Sequence, residues 1–137
     1  MTMGTRKAGD FCWMNMLTPK PDEARNFYGK ILGWSFIEMP GMGYRVQVGG
    51  RDIGAMFDIA GPNTPPGTQP HIGVMVKVES ADATCAMVTA LGGRALPPFN
   101  IMESGRMAVC YDPNGAEVDI WEAKKMTGTD VDSHLNG

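Results

Sequence analysis

Cysteine is scarce in this sequence. Its three cysteines, Cys12, Cys85 and Cys110, are an odd number without CxxC spacing, so neither a disulfide framework nor a structural zinc site is expected. Long apolar runs are also missing: the longest are strand-sized, and Met1–Asp10 has no apolar stretch of the kind found in secretory signals. These absences predict a cytoplasmic protein.

The sequence has no strong excess of charge. The sequence has twelve Lys and Arg residues and fifteen Asp and Glu residues, which gives a formal net charge of −3 at pH 7. This balance argues against nucleic acid and membranes as partners. The 137 residues are 43% hydrophobic, which is enough for one compact domain with a core.

Short strands separated by tight turns are indicated by 18 dispersed glycines and 10 prolines. Phe11–Thr18 predicts a strand, and Pro21 opens a helix that Gly33 ends. Strands are expected next at Trp34–Met39, Tyr44–Val48 and Ile53–Ile59. One apolar face of the helix is predicted from residues with helical spacing, namely Ala24, Phe27, Tyr28, Ile31 and Leu32.

The second half repeats this order. Ser80 is the expected N-cap of a helix over Ala81–Leu91. The predicted strands of this half are His71–Val78, a short one near Arg94–Leu96, Arg106–Tyr111 and Ala116–Trp121. Leu32-Gly33 and Leu91-Gly92 mark the same point of each copy, 59 residues apart.

The repetition predicts an α+β fold of two βαβββ modules. These modules are expected to form curved, mostly antiparallel half-barrel sheets with the helices outside. The predicted bounds are module one at about 10–60, a linker at about 61–69, module two at about 70–123 and a frayed tail at 124–137.

Three segments carry a family resemblance: FYGKILGW, PHIGVMVKVESADAT and GRMAVCYDPNGAEVDIWE. In this order they resemble the vicinal-oxygen-chelate superfamily of glyoxalases, bleomycin-resistance proteins and extradiol dioxygenases, over roughly residues 10 to 123. The resemblance implies a small organic ligand in a cupped cleft and a homodimer. It leaves the activity open, because the superfamily holds metal-dependent enzymes as well as metal-free binding proteins.

Metal-dependent members of the superfamily take ligands from the first and last strands of each module. In module two the resemblance assigns this role to His71 and Asp119. The alternatives without a metal are that His71 is a histidine at the start of a strand, and that the Asp119 carboxylate faces water or pairs with Arg106. In module one the matching positions are Trp13 or Met14 and about Gly54, which supply no ligand side chain, while Asn15 and Asp58 are out of register.

The ligand set is therefore incomplete, and the full family metal site is not expected. If an ion is bound after all, Fe, Mn, Ni and Zn are the candidates. The remaining site prediction is an apolar cavity, with His71 as an acid or base near neutral pH. Its expected ligand-binding residues are Trp13, Met14, Met16, Tyr44, Phe57, Tyr111 and Trp121.

Two functions follow from this pattern. The first is a glyoxalase/bleomycin-resistance/dioxygenase-like protein that binds a small organic ligand without the complete metal site. The alternative is a metal-dependent lyase, isomerase or dioxygenase that uses His71 and Asp119. Whether the protein is an enzyme stays open at this point.

Overall fold

The computed structural model describes residues 6–62, 64–126 and 128. The chain forms two compact units. The first unit is Met14–Ile72, and the second combines Gly73–Gly128 with the described residues that precede Met14. The elements in chain order are β1 (Phe11–Thr18), α1 (Pro21–Leu32), β2 (Ser35–Met39), β3 (Gly43–Val48), β4 (Arg51–Asp58), β5 (His71–Val78), α2 (Ala81–Ala90), β6 (Arg94–Ala95), β7 (Phe99–Ile101), β8 (Gly105–Tyr111) and β9 (Glu117–Ala123).

The two modules share one strand pattern. In the first, β2, β3 and β4 form an antiparallel meander, and β4 pairs in parallel with β1. In the second, β8 and β9 are antiparallel, and β9 pairs in parallel with β5. The predicted α+β class with mostly antiparallel βαβββ modules is thus confirmed.

The second module contains a strand that the sequence did not indicate. β7 pairs with the start of β8, whereas β6 pairs with its end. Leu96, Pro97 and Pro98 lie between them, and the strand predicted near Arg94–Leu96 corresponds to β6 alone. The two short strands therefore share the role that β2 has alone in the first module.

Helix α1 begins at Pro21 and ends at Gly33, as predicted, where Gly33 has φ 67°. The five residues of the predicted apolar face differ in their burial. Ala24 and Tyr28 pack against the core of the first unit. The side chains of Phe27, Ile31 and Leu32 point outward, since these residues are 55%, 55% and 51% exposed.

Helix α2 is capped at its N-terminus by two side chains. Ser80 accepts a hydrogen bond from the backbone N–H of Ala83 at 3.1 Å, which confirms the predicted N-cap. Glu122 on β9 accepts a second bond, from the N–H of Ala81 at 2.8 Å. The two acceptors satisfy helix N–H groups that have no partner within the helix.

The strands of each module have two distinct faces, because strand side chains alternate. We call the face that packs against the module's own helix the helix face, and the other the opposite face. In the first unit the helix face carries Met16, Val46 and Met56. In the second unit it carries Ala108, Cys110 and Ile120, which pack with Ala81 and Cys85 of α2.

Part of the predicted tail is hydrogen bonded. The N–H groups of Lys124 and Met126 donate to the carbonyl of Ser104, and that of Lys125 donates to the carbonyl of Glu103. Residues 127 and 129–137, including His134, lie outside the described residues. Within the described ranges, no helix is long and apolar enough to cross a membrane.

Candidate functional site

The opposite face of the second unit is filled by its own core. Trp121 is 2% exposed and packs with Cys12, Met75 and Met107. Its indole Nε1 donates to the carbonyl oxygen of Met126 at 2.7 Å. The C-terminal segment thus helps to close this face over the tryptophan.

Asp119 lies on this same face and is 4% exposed. Its neighbour on β5 is Met75, so the structure pairs this carboxylate position with a thioether and not with His71. Pairing with Arg106 does not occur: Arg106 donates from Nε and NH2 to Asp82, at 2.9 and 3.0 Å. Alternation explains this, because Arg106 pairs across the strands with Glu122 on the helix face.

His71 begins β5, as predicted, and belongs to the first unit. Its Nδ1 lies 2.7 Å from the carbonyl oxygen of Gln69. A carbonyl only accepts, so this contact requires the proton on Nδ1 and makes Nε2 the basic nitrogen. That tautomer suits an acid–base role, which stays a prediction.

The two predicted metal ligands, His71 and Asp119, do not by themselves fit a divalent metal. No group of three or more His, Cys, Asp or Glu side chains that could hold an ion occurs among residues 6–62, 64–126 and 128. Catalytic zinc sites take three protein ligands plus water, and Mg²⁺ and Ca²⁺ also require several oxygens.

The strand registers fix which positions of the two modules correspond. Asn15 pairs with Ala55 between β1 and β4, whereas Met75 pairs with Asp119 between β5 and β9. Because α1 begins at Pro21 and α2 at Ala81, 60 residues later, Asn15 and Met75 are equivalent. The first-module equivalent of Asp119 is therefore Ala55 and not Gly54.

The opposite face of the first unit is apolar along one row. Leu17, Phe57, Gly43 and Met39 are neighbours on β1, β4, β3 and β2. Leu17, Phe57 and Met39 are partly exposed. A Cβ at Gly43 would lie 3.0 Å from Cδ1 of Phe57, and φ there is 124°, so glycine leaves room beside the ring.

A second row on this face contains a cation. Asn15, Ala55, Arg45 and Ile37 are neighbours on β1, β4, β3 and β2. Ala55 is small and 4% exposed, so it is covered by its neighbours in this row. The two rows are two residues apart on each strand, about 7 Å.

Arg45 is only loosely paired. Its NH1 is 3.6 Å from Oδ2 of Asp52, and the Arg45 side chain is 44% exposed. Oδ1 of Asp52 accepts from Nε2 of Gln47 at 2.8 Å. The Nε of Arg45 is buried and has no hydrogen-bond partner in the described part of the chain. The exposed part of the guanidinium is therefore its terminal NH1 and NH2 groups, whose N–H donors can bind an external acceptor.

The other predicted ligand-binding residues divide between the two faces. Met14, Met16 and Tyr44 pack in the core beneath α1, on the helix face of the first unit. Tyr111 is on the opposite face of the second unit, where the guanidinium of Arg94 lies 4.2 Å from its ring centre. Trp13 packs at the border of the core that contains Trp121.

The three thiols are buried. Burial raises the pKa of Cys12 to about 11, although Lys77 and Arg6 oppose the rise. Burial also raises the pKa of Cys110 to about 12, with Cys85 and Asp119 adding to the effect. These groups are therefore thiols at neutral pH and unsuited to nucleophilic chemistry.

An open depression of about 450 Å³ lies outside both faces. It is lined by Thr18, Pro19, Lys20, Glu23, Ala24 and Phe27 at the start of α1.

The family model of the Glyoxalase/Bleomycin resistance protein/Dioxygenase superfamily matches residues 11–120. The chain belongs to this superfamily. CFP32 of Mycobacterium tuberculosis (strain CDC 1551 / Oshkosh), a protein provisionally named a glyoxylase, is 29% identical over 122 residues, covering 85% of this chain and 46% of the relative. The anthracycline biosynthesis protein DnrV of Streptomyces peucetius is 28% identical over 134 residues, covering 87% and 49%.

This chain spans about half the length of the curated relatives it matches. Among solved structures, the methylmalonyl-CoA epimerase of Mycobacterium tuberculosis superposes with a TM-score of 0.60 and 14% identity. That superposition covers 99% of this chain and 97% of the epimerase. At this identity the likeness establishes the fold and not the activity.

Proposed function

We propose that this chain binds a small organic molecule with a flat apolar part, and that it does so without the complete family metal site. The ligand lies in the cupped cleft that the family implies, against the opposite face of the first unit. The observation that carries the proposal is the partly exposed row of Leu17, Phe57 and Met39 on a sheet face that α1 does not cover.

The contrast between equivalent residues supports this location. Phe57 and Trp121 occupy matching strand positions, next to Leu17 and Lys77 respectively. Trp121 is 2% exposed, whereas Phe57 is only partly buried. A partly exposed aromatic ring on a sheet face suits a planar ligand. The Streptomyces relative is named for the biosynthesis of anthracyclines, which are organic molecules.

A thermal-shift screen of planar aromatic compounds, with and without EDTA, tests the proposal. We expect Tm to rise in both conditions, because ligand binding to the native state alone stabilises it. Phe57→Ala should abolish the shift. Met87→Ala is the control, since it removes a 62% exposed apolar side chain from α2, and it should leave the shift unchanged.

Two results contradict the proposal. One is a Tm shift that Phe57→Ala leaves intact. The other is a shift that disappears in EDTA while elemental analysis finds about one Fe, Mn, Ni or Zn per chain, as the metal-dependent lyase, isomerase or dioxygenase alternative requires. Loss of that metal in a His71→Ala variant would then assign it to His71.

Homodimerisation is a further part of the proposal. Phe27, Ile31 and Leu32 leave an apolar stripe exposed on α1. Asp22 and Glu23 lie at one end of the helix and Lys30 at the other, so two antiparallel copies would place opposite charges together. Light scattering should give a dimer mass that Phe27→Glu reduces to the monomer. A monomer at high protein concentration contradicts this.

A further inference from the structure

Arg45 places a positive charge on the opposite face of the first unit, where the proposed ligand lies. Arg45 lies one row away from Phe57, about 7 Å along the strands. The guanidinium is beside Asp52, at 3.6 Å, so a ligand on the apolar row reaches it by extending along the strands past Ala55, and it then removes water from the cation. Covering a cation without supplying an acceptor is unfavourable, so a neutral apolar ligand is a poor match for this face.

We propose that the ligand is a small organic acid, whose carboxylate binds the guanidinium of Arg45 while its flat apolar body lies on Phe57 and Leu17. This inference rests on the proposed function and adds the ligand's chemical class and the residue that recognises it.

The donors of Arg45 favour one carboxylate. NH1 is 3.6 Å from Oδ2 of Asp52, and Nε is buried and out of reach of a ligand, so the 44% exposed side chain offers its terminal NH1 and NH2 groups. Arginine presents a planar fork that matches carboxylate geometry. A phosphate ester usually needs further donors, such as a glycine-rich loop at a helix N-terminus, whereas β2, β3 and β4 follow one another without a helix between them.

Asp52 competes with such a ligand for the same guanidinium. The Asp52 side chain is 24% exposed and also accepts from Gln47. Asparagine at this position keeps an oxygen for Gln47 but removes the negative charge. The proposal therefore predicts that Asp52→Asn strengthens the binding of an organic acid, an effect that a merely damaged fold would not produce.

The probes are 1-naphthoate and its uncharged counterpart 1-naphthamide, titrated into the full chain and followed by chemical shifts. We expect naphthoate to bind the unaltered protein more tightly than naphthamide. Arg45→Gln should weaken naphthoate roughly tenfold or more, as expected for a charge-assisted hydrogen bond, and change naphthamide by less than about twofold. Asp52→Asn should tighten naphthoate only.

Arg25→Gln is the matched control. Arg25 has a side-chain exposure of 38%, close to the 44% of Arg45, but it lies over Tyr44 on the helix face. It should leave naphthoate binding unchanged. Circular dichroism and urea midpoints of all variants establish that each is folded.

The outcomes separate this inference from the proposed function. Equal binding of acid and amide, with both lost in Phe57→Ala, overturns the carboxylate assignment and leaves the apolar site standing. Binding that neither Phe57→Ala nor Arg45→Gln alters, or no binding of either probe at millimolar concentration, contradicts both.

Discussion

Phe57 and Trp121 are equivalent in the two modules, and we predict that changing them has different consequences. Trp121 is 2% exposed and donates a 2.7 Å hydrogen bond to Met126. Trp121→Phe removes that donor, which costs about 1 kcal/mol. The space left by the smaller ring adds roughly 1–2 kcal/mol. The sum is about 2–3 kcal/mol, or a Tm decrease of roughly 8 °C for a domain of this size.

Phe57→Ala removes a ring that is only partly buried, so we expect it to cost less free energy of unfolding than Trp121→Phe although it deletes more atoms. Its main effect should be on ligand binding. Urea unfolding followed by far-UV circular dichroism measures the stabilities, and the thermal-shift screen measures the binding.

Trp34→Phe is the control for tryptophan replacement in general. Trp34 is partly buried and stacks on Tyr28 with ring centres 5.2 Å apart, so its loss should cost about 1 kcal/mol. Phe57→Ala would contradict this prediction by lowering the free energy of unfolding as much as Trp121→Phe does. So would a Trp121→Phe variant that loses no more free energy of unfolding than Trp34→Phe.

Three further predictions concern the scaffold. Ser80→Ala removes the bond from the N–H of Ala83 and should lower the free energy of unfolding by about 1 kcal/mol in urea titrations; no change would contradict the cap. Burial raises the pKa of Cys12 from 9.0 to about 11, so the contribution of the protonated thiol to the free energy of unfolding is fully present below pH 9 and is lost as pH rises toward 11. The free energy of unfolding should therefore decline over that range, and it should decline less steeply in Cys12→Ala. Gly105→Ala should destabilise the fold by more than about 2 kcal/mol and alter Trp121 fluorescence, since a Cβ there would lie 2.5 Å from the indole; unchanged emission would contradict this packing.

The sequence predicted the elements well where turn residues bound an apolar run. Phe11–Thr18 and His71–Val78 have the predicted bounds, and α1 begins at Pro21 and ends at Gly33. The missed strand, Phe99–Ile101, is short and gains its order from pairing with β8, a contact that local pattern does not reveal. Helical spacing also could not tell which apolar residues of α1 pack inward.

The candidate site was less predictable, because it depends on register. The β-bulge between Val46 and Gln47 shifts the pairing of β3 with β4, so sequence spacing alone placed the equivalent of Asp119 at Gly54 instead of Ala55. Arg45 was not singled out, since a charged residue in an alternating strand usually faces water. Only the cross-strand pairs with Ala55 and Ile37 identify the row to which it belongs.

A titration of the isotope-labelled full chain with 1-naphthoate, followed residue by residue, tests the central claim most directly. We predict that the largest chemical-shift changes occur at Leu17, Arg45 and Phe57, and that the changes at Arg45 are much smaller with 1-naphthamide. Largest changes around Phe27 and Ile31 on the outer side of α1, with Arg45 and Phe57 unaffected, would contradict the account.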